Sequence, residues 1–311
     1  MAAVESAAPV DPDAYDEVKE DRPVAPPTQP VHVFLLAGQS NMAGRGVLIE
    51  DSSTSAPRNL DDRIFLWRDG SWVSPAAHPL HQDKESAGVG PGLAFAKEIL
   101  ESLPLGERCV GLVPAAVGGA AVSRWEPQEG DLFARAAESA RAAVAASGGD
   151  ARLSGILWHQ GESDADDDSR AAAYPEALAR VARALPEACL PDTADLVPVF
   201  IAAELGVNFL DAKRFPSAKA VNAAICELPE VLGKEERVAC VCSAQGLTHI
   251  GDHLHFDTAS AEILGRRYAY TWLTTEGLLA THDFSLSPGL LNDEKPRPWY
   301  AAAVGILTCS T

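Results

Sequence analysis

The chain has 311 residues, 47% of them hydrophobic, and a formal net charge of −19 at pH 7. Length and composition are typical of a globular protein with one large core or two smaller ones. The negative charge argues against nucleic-acid or anionic-membrane partners, because both need basic patches. No apolar run approaches the ~18 residues that a membrane-spanning helix requires.

The two ends of the chain differ from its middle. Residues 1–30 are acidic and rich in proline and alanine, without a basic segment followed by an apolar one. This composition predicts a disordered arm rather than a secretory signal. The six cysteines show no zinc-type spacing, and a disulfide framework is not expected at this size without a signal. We therefore expect a reducing, cytoplasmic location. Residues 277–311 form a tail without periodicity, which leaves 31–276 as the folded domain.

Between these ends, apolar runs of strand length alternate with segments of helical spacing. The first strand is expected at 31–37, and a turn at Asp69-Gly70 predicts a small hairpin at the edge of the fold. Strands that alternate with helices imply right-handed crossovers, a mostly parallel sheet and helices on both faces. Further strands are expected at 63–67, 71–73, 108–113, 153–158, 196–203 and 237–242, and helices at 93–103, 131–146, 170–185, 215–228 and 258–273.

The first predicted strand ends at Gly38, and Ser40 follows two residues later. A glycine lets the backbone turn sharply, so that a serine at a strand-to-helix turn can expose its hydroxyl, as in many α/β hydrolytic enzymes. The alternative is that Ser40 only caps the next helix. This segment alone leaves both possibilities open.

Three more predicted strands are followed by segments whose groups could take part in catalysis. The carboxyl ends of parallel strands are where ligand sites form in such sheets. Gly118-Gly119 can supply a backbone oxyanion donor or form an ordinary turn. In His159-Gln160-Gly161-Glu162 the glutamine can donate to an oxyanion. In Asp252-His253-Leu254-His255 the carboxylate can orient the second imidazole. With Ser40 these segments form a serine-hydrolase constellation in the order Ser–Asp–His.

A metal site is the alternative explanation of the three histidines at positions 249, 253 and 255. The segment lacks the H-E-x-x-H pattern and a fourth ligand set, so we expect no metal. The glycines between Gly38 and Gly46 match neither the dinucleotide-binding nor the P-loop pattern, so the sequence does not favour a nucleotide.

Four segments resemble the signature blocks of the SGNH-hydrolase superfamily, specifically its carbohydrate esterase family 6 / sialate O-acetylesterase-like branch in its plant form. They are Leu-Ala-Gly-Gln-Ser-Asn-Met, Gly-Gly-Ala-Ala-Val-Ser-Arg-Trp, Trp-His-Gln-Gly-Glu-Ser-Asp and Asp-His-Leu-His-Phe. The resemblance runs from Val31 to Leu273. It implies a three-layer α/β/α sandwich of flavodoxin-like type, no cofactor, and removal of O-acetyl groups from sugars such as those of xylan.

By position, the resemblance implies that Ser40 is the nucleophile, His255 the general base and Asp252 the group that orients it. It places the oxyanion hole at the N–H groups of Ser40 and Gly119. Gln160 would be a third donor, replacing the asparagine that is usual in the superfamily.

Some alternatives remain open at this point. Glu162 is the rival triad acid, because some relatives use the glutamate of that block. The function could also be that of a general short-chain acyl esterase, or of a catalytically silent carbohydrate-binding protein, since a fold does not fix a function. We expect a small-molecule or glycan acetyl ester as the partner, and neither nucleic acid nor membrane; the sequence specifies neither the sugar nor the oligomeric state.

Overall fold

The computed structural model describes residue 24 and residues 31–48, 61–74, 76–103, 108–148, 151–190, 196–233, 238–240 and 243–278. The rest of the predicted N-terminal arm, and the predicted tail from residue 279 onward, lie outside these residues.

Seven strands of the described residues form one sheet, in the order β3-β2-β4-β1-β5-β6-β7. All neighbours pair in parallel except β2 and β3, which form an antiparallel pair at the edge. The predicted mostly parallel sheet and its edge hairpin are therefore confirmed. The strands are β1 (Val31–Gly38), β2 (Ile64–Arg68), β3 (Ser71–Val73), β4 (Cys109–Pro114), β5 (Arg152–His159), β6 (Val199–Ala202) and β7 (Val238–Cys240).

Helices cover both faces of this sheet. The α-helices are α1 (Ser40–Ala43), α2 (Gly92–Ser102), α3 (Asp131–Ala146), α4 (Glu162–Ala165), α5 (Asp168–Ala188), α6 (Ala218–Leu232) and α7 (Thr258–Thr275), and a 3₁₀ helix spans Val122–Trp125. Helices α2 and α7 pack on one face, and α3, α5 and α6 on the other. The expected three-layer α/β/α sandwich is confirmed. Within the described ranges, none of the helices is both long and apolar enough to cross a bilayer.

Strand β1 is apolar throughout except at His32, whose Nδ1 lies 2.8 Å from Oγ of Ser154, and the packing of its other side chains shows why. Val33 and Leu35 point to the core under α3, α5 and α6, whereas Phe34 and Leu36 point to the core under α2 and α7. All four side chains are fully buried. A central parallel strand is covered on both faces and therefore reads as a continuous hydrophobic run rather than an alternating one.

The carboxyl end of β1 lies at a switch in the topology. Its neighbours are β4 on one side and β5 on the other, and the helices that lead into these two strands, α2 and α3, cover opposite faces. Open α/β sheets bind ligands in the crevice at such a point, outside the carboxyl ends of the strands. The fold thus places the segment around Ser40 where chemistry is expected.

The predicted long elements agree with the structure apart from shifts at their ends, of which the largest moves the predicted helix 215–228 to Ala218–Leu232. The three short helical segments were not predicted: α1, α4 and Val122–Trp125. They begin two, three and eight residues after the carboxyl ends of β1, β5 and β4. They are too short to show helical periodicity.

Candidate active site

The end of β1 requires a glycine. Gly38 has a φ of +126°, and a Cβ at this position would lie 2.1 Å from the carbonyl oxygen of His159. The N–H of Gln39 donates to that same carbonyl at 2.9 Å. Because no side chain intervenes, the ends of β1 and β5 approach closely, and the chain turns at once into α1.

Ser40 is the first residue of α1 and does not cap it. The N-cap is Gln39, and it makes no side-chain capping hydrogen bond. The Oγ of Ser40 lies instead 3.0 Å from Nε2 of His255. The alternative in which Ser40 only caps the next helix is therefore wrong.

His255 belongs to a compact segment, residues 252–256, that we call the histidine loop. Nδ1 of His255 lies 2.5 Å from Oδ2 of Asp252. The other oxygen of Asp252 accepts hydrogen bonds from the N–H groups of Leu254 at 3.0 Å and of His255 at 2.9 Å. The carboxylate thus closes the loop on itself and holds the imidazole, whose far nitrogen faces Ser40.

The charge of Asp252 is favoured by these contacts. Partial burial alone would raise its pKa, but the hydrogen bonds from His255 and Leu254 outweigh this effect and hold the pKa below its usual value. An ionised carboxylate beside Nδ1 keeps that nitrogen protonated, which leaves Nε2 of His255 able to accept a proton from a hydroxyl.

Glu162, the rival triad acid, does not touch His255. It is 1% exposed, accepts a hydrogen bond from Nδ2 of Asn41 at 2.5 Å and lies 3.5 Å from Nε2 of His159. Asn41 in turn donates to the carbonyl of Leu254 at 3.1 Å and accepts from the N–H of Phe256 at 3.0 Å. Glu162 therefore reaches the histidine loop through intermediates, by way of Asn41 and by way of His159, whose ring packs edge to face on Phe256 at 5.5 Å.

Asn41 was not predicted as a site residue, although it stands directly after Ser40. Its partners in the histidine loop lie more than 200 residues away along the chain. The side chain is 3% exposed and uses both ends of its amide on that loop. A signal was present in the short polar run Gln39-Ser40-Asn41, because buried polar side chains at a strand end need partners.

Residues 118–122, which we call the glycine loop, follow β4 and pack beside the end of β1. The N–H of Val117 donates to the carbonyl of Gly38 at 3.2 Å, and that of Ala120 to the carbonyl of Val117 at 3.2 Å. With a φ of +80° at Gly119, this is the pattern of a type II turn, in which glycine is favoured at the third position.

Several backbone donors of this region have no partner in the part of the chain that the structure describes. The N–H groups of Ser40 and Gly119 are among them. The first residues of a helix leave their N–H groups unpaired, which accounts for Ser40. A Cβ at Gly119 would meet no atom within 4 Å, so this residue borders open space.

The glycine loop is held by two buried carboxylates. The N–H of Gly118 donates to Oδ2 of Asp83 at 2.7 Å, and the N–H of Val122 donates to Oδ2 of Asp164 at 3.0 Å. Asp83 also accepts from the guanidinium of Arg45 at 2.7 Å, and the two side chains are 2% and 6% exposed. Neither Asp83 nor Arg45 was predicted, because neither lies at the end of a predicted strand.

The two carboxylates differ in pKa. Burial would raise the pKa of Asp83, but hydrogen bonds from Arg45 and Gly118 outweigh burial and lower it. Burial also raises the pKa of Asp164, and here the hydrogen bonds from Gln160 and Val122 are too weak to reverse the shift. The difference follows from the partners, because Asp83 has a hydrogen-bonded cation and Asp164 has neutral donors.

The expected role of Gln160 as a third oxyanion donor needs correction. Its side chain is fully buried, and Nε2 faces three protein acceptors: Oε1 of Gln39 at 3.2 Å, the carbonyl of Ala120 at 3.1 Å and Oδ2 of Asp164 at 2.5 Å. An amide nitrogen carries two hydrogens, so none is left for a substrate. Gln160 instead supports the glycine loop, by donating to the carbonyl of Ala120.

Arg124, Trp125 and Trp158, which belong to the signature blocks, have structural surroundings. Trp125 and Trp158 are fully buried and pack edge to face at 5.2 Å, and Arg124 pairs with Asp131 at the surface. These side chains contribute to the core and to its edge. Among the described residues, no group of three or more His, Cys, Asp or Glu side chains is arranged to hold a metal ion.

Comparison with known proteins places this chain in a family. A family model described as carbohydrate esterase, sialic acid-specific acetylesterase matches residues 30–274. A probable carbohydrate esterase of Arabidopsis thaliana is 31% identical over 272 residues, which cover 82% of this chain and 95% of that protein. An X-ray structure of the same Arabidopsis protein aligns with a TM-score of 0.65 at 28% identity, over 79% of this chain and 98% of that one.

A more distant structure shares the fold. The crystal structure of NanS aligns with a TM-score of 0.58 at 17% identity, over 82% of this chain and 99% of that one. The match of the family model to most of the chain, and the identity with the Arabidopsis relative, carry the assignment. The protein therefore belongs to the carbohydrate esterase, sialic acid-specific acetylesterase family, and is a carboxylic ester hydrolase of a family that deacetylates carbohydrates.

Proposed function

We propose that this protein removes O-acetyl groups from carbohydrates through an acyl-enzyme mechanism in which Ser40, His255 and Asp252 form the catalytic triad. The observation that carries the proposal is the chain of two contacts, 3.0 Å from Ser40 Oγ to His255 Nε2 and 2.5 Å from His255 Nδ1 to Asp252 Oδ2. A nucleophile within hydrogen-bond reach of a base, itself oriented by a third group, is the general signature of nucleophilic catalysis.

The first half of the reaction forms the acetyl-enzyme. Nε2 of His255 takes the proton of the Ser40 hydroxyl as Oγ attacks the acetyl carbonyl carbon, and the carbonyl oxygen becomes an oxyanion. Collapse of this tetrahedral intermediate breaks the bond to the sugar oxygen. His255 gives its proton to that oxygen, and the sugar leaves as an alcohol.

The second half releases acetate. A water molecule replaces the sugar, His255 takes one of its protons, and the resulting hydroxide attacks the acetyl carbon. Collapse of the second tetrahedral intermediate breaks the bond to Oγ, which recovers a proton from His255. Asp252 remains ionised and stabilises the imidazolium in both halves.

The oxyanion in this mechanism is bound by the N–H groups of Ser40 and Gly119. Support comes from their lack of protein partners in the described residues and from the open space beside Gly119. Preorganised donors of this kind each contribute roughly 10²- to 10³-fold to kcat in serine hydrolases. Gln160 has no role as a direct donor in this proposal, because its amide is already engaged.

The deciding experiment compares the wild type with Ser40→Ala. Acetate release is measured from 4-nitrophenyl acetate and acetylated xylan. Hydrolysis of 4-nitrophenyl octanoate is measured separately, as the test of a long-chain ester. Ser139→Ala, on helix α3, serves as the matched control. We expect release from both acetyl esters by the wild type and the control, and a loss of roughly 10⁴-fold or more in kcat for Ser40→Ala, as for other serine hydrolases.

Other outcomes would redirect the proposal. Equal activity of Ser40→Ala and the wild type would exclude Ser40 as the nucleophile. Faster turnover of the octanoate than of the acetyl esters would favour a general acyl esterase. Retained binding of acetylated glycan without any acetate release would favour a silent carbohydrate-binding protein on the same fold.

A further inference from the structure

A backbone oxyanion donor must point at the reacting atom before the reaction begins, because reorienting it during the reaction would cost much of its benefit. Gly119 has no side chain of its own to anchor it, and its peptide lies in the middle of a turn. In a type II turn, rotation of the central peptide converts the turn to type I and reverses the direction of that N–H group. The neighbouring residues must therefore set this direction.

The last residue of the turn is fixed by Gln160, which donates to the carbonyl of Ala120 at 3.1 Å. The first glycine is fixed from the other side. The N–H of Gly118 donates to Asp83, and a Cβ at Gly118 would lie 2.4 Å from Nη2 of Arg45 and 2.9 Å from Oδ2 of Asp83. The ion pair thus packs directly on the Cα of Gly118, and any side chain there would displace it.

The same ion pair also contacts the nucleophile segment. Arg45 stands five residues after Ser40, and its Nη1 donates to the carbonyl of Gly44 at 2.7 Å while Nη2 holds Asp83. Gly44 closes α1, since its N–H donates to the carbonyl of Ser40 at 2.8 Å. Arg45 and Asp83 therefore connect the segment that carries the Ser40 N–H to the loop that carries the Gly119 N–H.

A buried ion pair is not needed for stability alone, because the desolvation of two charges offsets much of their attraction. A role in geometry accounts for its presence here. We propose that the Arg45–Asp83 ion pair positions the oxyanion hole by anchoring Gly118, so that the Gly119 N–H faces the carbonyl oxygen of the ester bound at Ser40. This inference rests on the proposed serine esterase function.

The test uses two substitutions at Asp83 that differ in how many interactions they remove. Asp83→Ala removes both the acceptor for Gly118 and the partner of Arg45. Asp83→Asn keeps an acceptor of the same size but loses the charge. The readouts are kcat and KM for 4-nitrophenyl acetate, and Ki for phenylboronic acid, which forms a tetrahedral adduct with a reactive serine and can present an oxygen at the oxyanion position.

We expect kcat to fall by roughly 10²-fold in Asp83→Ala and by a smaller factor in Asp83→Asn, as for the loss of one oxyanion donor. KM should change by less than about 3-fold, because the hydrogen bond from the Gly119 N–H to the substrate oxygen is stronger in the transition state than in the ground state. Ki for the boronic acid should rise by the same factor as the fall in kcat/KM. A purely structural role of Asp83 would not produce this proportionality.

Two controls separate positioning from general destabilisation. Asp61→Ala breaks a hydrogen-bonded ion pair with Arg63 just before β2, and Leu100→Ala opens a cavity under α2. Both should retain wild-type kcat and Ki below their melting temperatures. If Asp83→Ala does not fold, Asp83→Asn and Arg45→Lys provide the same comparison with milder changes.

The outcomes distinguish this inference from the proposed function. A wild type that releases acetate, together with a folded Asp83→Ala of equal kcat, would overturn the positioning role alone. A fall in kcat without a change in the boronic acid Ki would overturn it as well. A wild type that neither turns over acetyl esters nor binds the boronic acid would overturn the serine esterase proposal, and the positioning role with it.

Discussion

The histidine loop and the glycine loop serve the same serine but are built by different means. In the histidine loop the two key side chains are three residues apart, contact each other directly, and are 37% exposed at Asp252 and 19% exposed at His255. The glycine loop is held by Asp83 and Asp164, which lie 35 and 42 residues away from the N–H groups they bind. Both carboxylates are buried.

This difference in exposure matches the catalytic role proposed for each loop. Acid–base groups must exchange protons with substrate and water, so partial exposure of the histidine loop suits them. Oxyanion donors act best as fixed dipoles in surroundings from which water is excluded, because electrostatic interactions are stronger there. The glycine loop accordingly rests on a buried polar network. The comparison predicts that substitutions on the two sides will differ in their kinetic and pH signatures.

The largest effect in this comparison is expected at Asp252. Asp252→Asn keeps the shape of the histidine loop but removes the charge that fixes the tautomer of His255. The corresponding change in a Ser-His-Asp protease lowers kcat by about 10⁴-fold. We expect a loss approaching that size, measured with 4-nitrophenyl acetate. Glu162→Gln should cost much less, since Glu162 does not contact His255; a larger loss for Glu162→Gln than for Asp252→Asn would assign the triad acid to Glu162 instead.

An intermediate effect is expected at Asn41, which ties the histidine loop to the buried Glu162. Asn41→Asp places a second carboxylate 2.5 Å from Glu162 and removes the donor to the carbonyl of Leu254. We expect kcat to fall by about 10- to 100-fold, since a misplaced base costs on that scale, and the free energy of unfolding to fall as well. The measurements are steady-state kinetics and urea unfolding.

The double variant Asn41→Asp/Glu162→Gln sharpens this prediction. The glutamine can donate to the new aspartate, which restores one hydrogen bond across the pair and removes the repulsion between two carboxylates. We expect the double variant to be more stable than Asn41→Asp alone, with part of kcat regained. Strictly additive effects in this double-mutant cycle would contradict the contact between the two side chains.

A smaller effect is expected at Gln160. Gln160→Met has similar volume and lacks the amide, and Oε1 of Gln160 has no partner to lose among the described residues. If Gln160 acts only by supporting Ala120 and Asp164, kcat should fall by less than about 10-fold, whereas loss of a direct oxyanion donor costs ~10²- to 10³-fold. Kinetics with 4-nitrophenyl acetate decide between the two, and a loss in the higher range would restore Gln160 as a donor.

These cases show which parts of the site the sequence could predict. Asp252 and His255 were predicted because their contact is local. At D-x-x-H spacing the two side chains can share a face, so that the carboxylate can orient the imidazole. Ser40 and Gly119 were predicted because strands and glycine turns leave clear patterns. The three-layer fold followed from the same alternation of strands and helices.

The anchors of the glycine loop were missed for a physical reason. Asp83 lies between β3 and α2, in a stretch without periodicity, and nothing in its neighbours indicates that its partner is Gly118. Gln160 was assigned the wrong task, because a sequence shows that an amide is present but not how many buried acceptors surround it. Burial and long-range pairing determine such roles, and both become visible only after the chain has folded.

The smallest effects in the comparison are expected in the pH dependence of stability within the glycine loop itself. Asp83 has a lowered pKa, so it stabilises the folded state above the usual pKa of an aspartate, and this contribution is lost as the pH falls through its folded pKa. Asp164 has a raised pKa, so its ionisation destabilises the folded state once the pH exceeds its folded pKa, and it has no such cost below the usual value.

Urea unfolding of the wild type, Asp83→Asn and Asp164→Asn between pH 3 and pH 7 measures both contributions, since neither asparagine titrates. The free energy of unfolding of the wild type relative to Asp83→Asn should rise with pH across the acid range. Relative to Asp164→Asn it should fall with pH, because in the wild type a buried carboxylate with only neutral hydrogen-bond donors must ionise. Slopes of the same sign would show that Arg45 does not distinguish the two carboxylates, and the electrostatic difference between the two ends of the glycine loop would then have no support.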